Sequence, residues 1–320
     1  MEGSGPLSGR TDPKDFISIA DWSREAIEGM LARAHELKQR RKRRERSSTL
    51  EGRSVLLYFE KPSLRTLVSF EVGVAELCGH PVYLPPSHVR IGEREPIEDV
   101  AHNLSRWCDA IVARTYGHQL LLDLAREASV QVINALTDYL HPCQAMADVM
   151  TMAEHGDCAR ERLVYVGDGN NVAHSLIHIA GRLGMRLTVC TPPSYVPDPE
   201  VVTRGLELVG REGGDLRLES DPNAAVKDAA FVYTDVWASM GQEAEAKERR
   251  AVFAPYQLNA SLLSQAPSDV RILHCGPAHR GEEITSELLD SERCLVTEQA
   301  ENRLHAQKAI LETLLSAPAL

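Results

Sequence analysis

The run Phe59-Glu60-Lys61-Pro62-Ser63-Leu64-Arg65-Thr66 brings together residue types that can hold a phosphate. Ser63 is a natural N-cap for the apolar helical pattern that follows, in which Val68, Phe70, Val72, Val74 and Leu77 recur between Thr66 and Cys78. A helix start leaves several backbone N–H groups unpaired and carries partial positive charge, so an anion docks there with little further help. Arg65 adds a guanidinium fork and Thr66 a hydroxyl beside that pocket. An ordinary capped helix with one exposed Arg would use the same residues, and this stretch alone leaves both readings open.

Other segments carry complementary chemistry. Arg114 ends a β-prone run at Arg114-Thr115-Tyr116-Gly117-His118, and two Arg at neighbouring strand ends can clamp a dianion. Pro142 starts a helix in His141-Pro142-Cys143-Gln144, where His141 can donate to a polarised carbonyl and Gln144 can bond an amide. A lone His beside Pro is equally at home as a structural residue. Gly167-Asp168-Gly169-Asn170-Asn171 opens a helix after a strand pattern but has no third glycine, so it is only part of a dinucleotide fingerprint. Its tandem Asn is better suited to grasping a carboxylate or amino group. Asp235-Val236-Trp237-Ala238-Ser239-Met240-Gly241 supplies a carboxylate and a hydroxyl, and His274-Cys275-Gly276-Pro277 puts a thiol at the same edge.

The elements that must position these groups alternate regularly. Strand patterns at 54–59, 81–84, 109–114 and 130–134, then 162–166, 186–191, 215–218, 229–233 and 270–274, are separated by helical ones such as Pro96 to Trp107 and Val172 to Leu183. That order predicts an α/β protein of two doubly wound domains with mostly parallel sheets, joined by interdomain helices, with ligands at the carboxyl ends of the strands. The division falls along the helix that follows His141-Pro142 and ends near Gly156-Asp157, giving units 1–148 and 149–302 with a cleft between them. A last helix runs from about Gln299 to Leu315.

Composition narrows the function. The 320 residues are 43% apolar and 25% charged, as in globular proteins generally. A net charge of -11 argues against wholesale nucleic-acid binding, so an anionic ligand must meet a local Arg cluster. No apolar run approaches the roughly 20 residues of a membrane span and no secretory segment precedes the fold, which makes the cytoplasm the expected location. Seven cysteines without CxxC spacing predict neither a disulfide framework nor a structural zinc site. The basic run at 38–46, KQRRKRRER, reads as the solvated end of a helix beginning near Trp22, where cations complement the helix dipole.

Taken together, Ser63-Leu64-Arg65-Thr66, His141-Pro142-Cys143-Gln144, Asp235-Val236-Trp237-Ala238-Ser239-Met240-Gly241 and His274-Cys275-Gly276-Pro277 resemble the aspartate/ornithine carbamoyltransferase family, the last two its ornithine branch. The resemblance runs from about Trp22 to Leu315. It implies that the first lobe, with the C-terminal helix 303–320 packed back on it, binds carbamoyl phosphate through Ser63, the Leu64 backbone, Arg65, Thr66, Arg114 and Arg303. His141 and Arg114 would polarise the carbonyl, while Gln144 and the backbone carbonyls of Cys275 and Gly276 hold the carbamoyl NH₂. Asn171, Asp235, Ser239 and Met240 would grip L-ornithine, and Cys275 with Asp235 would place its side-chain amine. Arg114, His141, Asp235 and Cys275 are thus the implied catalytic groups. No metal or other cofactor is implied. Members are typically homotrimers in which a loop, here His88 to Arg94, crosses into a neighbour's site.

Three positions depart from that pattern. Leu67 stands where a second Arg is usual, Arg90 where the ornithine branch offers Gln, and Gly276 where Leu is usual. Arg90 can replace the Gln by touching phosphate directly. The resemblance therefore implies transfer of a carbamoyl group to ornithine in arginine biosynthesis. Transfer to another amine, such as putrescine or a modified ornithine, and a catalytically silent binding paralogue are the alternatives.

Overall fold

The computed structural model describes residues 12–238 and 245–316. Its first lobe is a four-stranded parallel sheet in the order β2-β1-β3-β4, from β1 (Ser54–Phe59), β2 (His80–Leu84), β3 (Ala110–Arg114) and β4 (Gln131–Leu136). Helices α1 (Arg24–Lys42), α2 (Leu64–Glu76), α3 (Ile97–Trp107) and α4 (His118–Glu127) flank it, and α5 (Pro142–Ala153) leads out. The second lobe is a five-stranded parallel sheet in the order β7-β6-β5-β8-β9, from β5 (Arg162–Val166), β6 (Arg186–Cys190), β7 (Asp215–Glu219), β8 (Ala229–Thr234) and β9 (Arg271–His274). Helices α6 (Asn171–Leu183), α7 (Pro199–Glu212), α8 (Pro222–Ala225), α9 (Ala246–Phe253), α10 (Ala260–Leu263) and α11 (Ser286–Leu289) surround it. The closing helix α12 (Val296–Leu315) lies against α5, α1 and α2.

The strand order reverses between β1 and β3 in one sheet and between β5 and β8 in the other. Those reversals open crevices at the carboxyl ends of the strands, and the chemistry-bearing loops leave from there. Strand β1 is apolar and buried almost throughout, as a central parallel strand must be. Its pairing of Phe59 with Arg114 brings Arg114 level with the start of α2. Ser63 caps that helix, its hydroxyl accepting from the Thr66 N–H at 3.2 Å.

Between the sheets, α6 turns a row of polar side chains toward the first lobe. Asn171 Nδ2 donates to the Thr137 carbonyl at 2.6 Å, and Ser175 Oγ accepts from the His141 N–H at 2.7 Å. His174 Nδ1 lies 2.9 Å from the Tyr139 carbonyl. The largest buried cluster is continuous from β1 through α5 and α12 to β5, so the lobes share a core.

Two expectations change in detail. Helix α12 starts at Val296, three residues before Gln299, and places Arg303 in its second turn. The run at 38–46 is exposed from Arg41 onward, but Lys38 is buried and donates to both Glu154 oxygens and to Asn302 Oδ1, each at 2.8 Å. The last turns of α1 pack on α12 and α5, so a cation facing inward needs a carboxylate.

Candidate active site

Thr66 is the meeting point at the first sheet's edge. Its hydroxyl accepts from Arg303 Nη2 at 2.8 Å and from Arg114 Nη1 at 3.4 Å, while Arg303 Nη1 donates to Gln144 Oε1 at 2.6 Å. The Nε atoms of Arg114 and Arg303 and Nδ1 of His141 are buried without a partner among the described residues. Burial, reinforced by Arg303 and Arg65, pushes the Arg114 guanidinium down to about 10, and burial lowers Arg303 too. His141 is held well below the usual imidazole range by burial and then by Arg303 and Arg114. It therefore stays neutral near pH 7 and keeps one N–H to donate.

Arg65 is half-buried and crosses the cleft to Gly276, where an added Cβ would come within 3.1 Å of its Cζ. Gly276 has φ +65, a left-handed conformation that a side chain would strain. Its N–H donates to His274 Nδ1 at 2.8 Å, so the ring carries its proton on Nε2, which bonds Glu283 Oε1 at 3.0 Å.

At the second sheet's edge, Asn170 caps α6 and its Nδ2 donates to Asp235 Oδ2 at 2.8 Å. The other Asp235 oxygen accepts from Cys275 Sγ, also at 2.8 Å. Burial, and then the Asp235 charge, raises the Cys275 thiol well above its usual range, so it remains a neutral donor. Asp235, His274 and Cys275 offer ligand atoms within 4.8 Å of one another. Both His274 nitrogens and the thiol are already engaged in hydrogen bonds, so the trio is arranged as a network rather than as a cation cage.

The fold thus joins Thr66, Arg114, Arg303 and Gln144 in one hydrogen-bonded group and Asp235 with Cys275 in another, with Arg65 reaching Gly276; His141 is buried near Arg303 and Arg114, Asn171 bonds the Thr137 carbonyl, and Ser63 caps α2. Leu64 contributes only backbone there, its side chain being exposed. Arg90 stands apart: its exposed side chain pairs with Glu93 Oε1 at 3.1 Å, while the next residue, Ile91, is buried and its N–H donates to the Tyr58 hydroxyl at 3.2 Å. Leu67 packs half-buried against the main core. Ser239 and Met240 lie outside the described residues.

Three site residues escaped the motif reading. Asp148 and Gln299 form the floor beneath Gln144, and Arg249 pairs with Asp168 and stacks 4.6 Å from the Tyr195 ring centre. The signal for the first two was in the chain: Gln144 and Asp148, like Gln299 and Arg303, are polar pairs four apart on helices.

Comparison with known proteins places these features. Residues 14–154 match the model of the aspartate/ornithine carbamoyltransferase carbamoyl-P binding domain, and residues 160–314 that of the Asp/Orn binding domain. An ornithine carbamoyltransferase of Anoxybacillus flavithermus is 48% identical over 303 residues, 94% of this chain and 96% of that protein. The anabolic ornithine carbamoyltransferase of Pyrococcus furiosus is also 48% identical, over 94% of this chain and 96% of its own. A solved ornithine carbamoyltransferase structure from Pyrococcus furiosus superposes with a TM-score of 0.92 at 47% identity, covering 95% of this chain and 97% of that one.

Proposed function

Because the chain belongs to the aspartate/ornithine carbamoyltransferase family, we propose that it transfers the carbamoyl group of carbamoyl phosphate to the side-chain amine of L-ornithine, giving L-citrulline and phosphate in arginine biosynthesis. One observation carries the reading: Arg114 and Arg303 converge on Thr66 at the capped start of α2 with guanidinium N–H groups to spare. Cations gathered this closely repel one another, and a dianion relieves that repulsion.

In this reading the first lobe, residues 1–148 with the last helix returned to it, binds the donor. Ser63, the Leu64 and Thr66 backbone and Arg65, Arg114 and Arg303 take the phosphate. Neutral His141 and Arg114 donate to the carbonyl oxygen, and Gln144 with the Cys275 and Gly276 carbonyls accepts from the carbamoyl NH₂. The second lobe, 149–302, aims ornithine. Asn171, Asp235 and the Ser239-Met240 segment hold its α-amino acid end, and Cys275 with Asp235 places the amine.

A lysine-like amine has a pKa of about 10.4, so near pH 7.4 only about one molecule in a thousand is the neutral nucleophile, a cost of roughly 4 kcal/mol. The neighbouring cations and the dry cleft lower that cost. The amine nitrogen bonds the carbonyl carbon and gives a tetrahedral oxyanion held by Arg65, Arg114 and His141. The bond from carbon to the phosphate oxygen then breaks, and phosphate departs with the amine's proton.

Leu64, Val68 and Val72 form an exposed apolar stripe along α2, beside Val82 and Tyr83 on edge strand β2. A face of that kind supports self-association, proposed as a homotrimer in which a neighbour's 88–94 loop brings Arg90 to the phosphate, with the cytoplasm as the proposed location. No described helix is long and apolar enough to cross a membrane.

A colorimetric citrulline assay with ornithine and carbamoyl phosphate, with Arg65→Ala as control, is expected to give product only with the unaltered protein. Equal turnover of putrescine and ornithine would move the reading to a different amine, and absence of product alongside donor binding would move it to a silent paralogue.

A further inference from the structure

We propose that Asp148 is a positioning residue that fixes which end of the Gln144 amide faces the cleft, and so makes the site read an NH₂ group on the acyl phosphate. The inference rests on the donor-binding role given above to Gln144.

Asp148 is fully buried on α5, one turn beyond Gln144. Its Oδ1 accepts from Gln144 Nε2 at 2.7 Å and from Gln299 Nε2 of α12 at 2.8 Å. The Gln299 amide cannot be reversed, because its Oε1 accepts from the His274 N–H at 2.8 Å. A carboxylate offers only acceptors, so both amides turn their NH₂ groups to it. The Gln144 oxygen is thereby driven the opposite way, where Arg303 occupies one lone pair. The second lone pair is left for a donor in the cleft.

Burial pushes Asp148 up to about 6, with the amides, the Tyr233 hydroxyl and Arg303 opposing the rise. Near pH 7.5 it is therefore an ionised acceptor. A charge kept in so dry a place is a poor stability device. Its position joins the end of β9 to the donor site through four side chains: Gln299, Asp148, Gln144 and Arg303. Carbamoyl phosphate presents an NH₂ to the Gln144 oxygen, whereas acetyl phosphate presents a methyl group. Loss of the Asp148 acceptor leaves Arg303 alone to hold the Gln144 amide, so its NH₂ can turn toward the ligand at the cost of that one bond, where it opposes the first ligand and is indifferent to the second.

The test compares KM for carbamoyl phosphate with the inhibition constant of acetyl phosphate in the full-length protein. Asp148→Leu is expected to raise the first about tenfold, as loss of one oriented hydrogen bond would, and to leave the second within about twofold. Asp148→Asn, which keeps an acceptor oxygen at the Oδ1 position, is expected to restore discrimination. A merely structural role would weaken both ligands together, and that result, or undiminished discrimination in Asp148→Leu, overturns the proposal. Neutron diffraction from the unaltered protein decides without any variant: deuterons on Gln144 Nε2 directed at Asp148 support it, and deuterons directed into the cleft overturn it. Failure of the unaltered protein to prefer carbamoyl phosphate would instead count against the donor-binding role itself.

Discussion

Arg303 shows how a single residue can be both structural and chemical. Its Nη atoms bond Thr66 and Gln144, while its Nε has no partner among the described residues, so it braces the first turns of α2 and α5 and keeps an N–H for the proposed phosphate. Hydrogen bonds to charged groups contribute about 1.5–3 kcal/mol each. Arg303→Met is therefore expected to weaken carbamoyl phosphate binding on the order of tenfold to a hundredfold, with ornithine KM measured at saturating donor little changed. Equal losses for both substrates in steady-state kinetics would show that Arg303 acts on the whole cleft instead. His141 gives a pH prediction of known sign. Burial and two guanidinium groups keep it neutral across the working range, so kcat/KM is expected to rise with pH through deprotonation of the substrate amine. His141→Asn should lower the profile without moving its ascending limb, and a displaced limb would assign the titration to the imidazole.

At the scale of elements, the polar pairs buried between helices are the sensitive joints. Lys38 on α1 meets Glu154 at the end of α5 and Asn302 on α12. Glu154 is partly exposed and keeps a bond from Asn302 Nδ2, so it is not stranded when Lys38 is removed. Lys38→Met is expected to cost about 1.5–3 kcal/mol, as loss of a hydrogen bond to a charged group does, and Lys38→Met with Glu154→Gln to recover most of it, read from urea denaturation midpoints. Helices α6 and α7 cross on glycine: a Cβ at Gly205 would lie 2.3 Å from Ile177 Cγ2, and one at Gly181 2.9 Å from Leu208 Cβ. Gly205→Val should destabilise by about 1–3 kcal/mol through overpacking, and a melting temperature within error of the unaltered protein would contradict that contact.

These elements also show what the chain made legible. Every strand pattern named from the sequence forms a strand, and the central ones stand out plainly because they are apolar on both faces. Strand β4 nevertheless runs on to Leu136 beyond its expected end, with Asn134 fully buried and its Nδ2 donating to the Ile17 carbonyl. A polar residue satisfied by a distant backbone group leaves no local pattern. Lys38 was obscure for the same reason, and Asp148 and Gln299 offered only their four-residue spacing from Gln144 and Arg303: each is polar on its own helix, and packing against a second helix tells a buried partner from a solvated one. Motif residues such as Arg65 and His141 were legible because their types and order are themselves informative.

Across the whole molecule, buried titratable groups set how the fold meets acid. His141, His178 and His305 are depressed by burial, the last two to about 3, whereas an unfolded imidazole titrates near 6.5. The unfolded chain therefore takes up protons that the folded one refuses, and stability falls as pH drops below about 6.5, by up to about 1.4 kcal/mol per unit for each group. Asp148 and Asp168, raised to about 6 by burial, act with the opposite sign from about pH 6 down to their unfolded values. Three imidazoles against two carboxylates leave a net loss, so melting temperature is expected to fall as pH drops below about 6.5 and to fall less steeply below about 6. A monotonic gain on acidification would contradict the histidine assignment. Assembly is tested by mixing Arg65→Ala with Arg90→Ala protein. If sites are shared between subunits, about a quarter of the sites in random trimers regain both arginines and activity returns; a mixture as inactive as its components would place each site within one chain.

The location of Arg303 on α12, after both sheets in chain order, has a consequence for biogenesis. Translation proceeds from the amino terminus at about 5–20 residues per second, so both sheets can leave the ribosome before the helix that supplies the third guanidinium exists. Until α12 docks, the nascent polypeptide holds only two of the three guanidinium groups proposed for the phosphate, those of Arg65 and Arg114. Prematurely terminated products lacking that helix would then hold the cell's labile acyl phosphate more weakly than the finished protein.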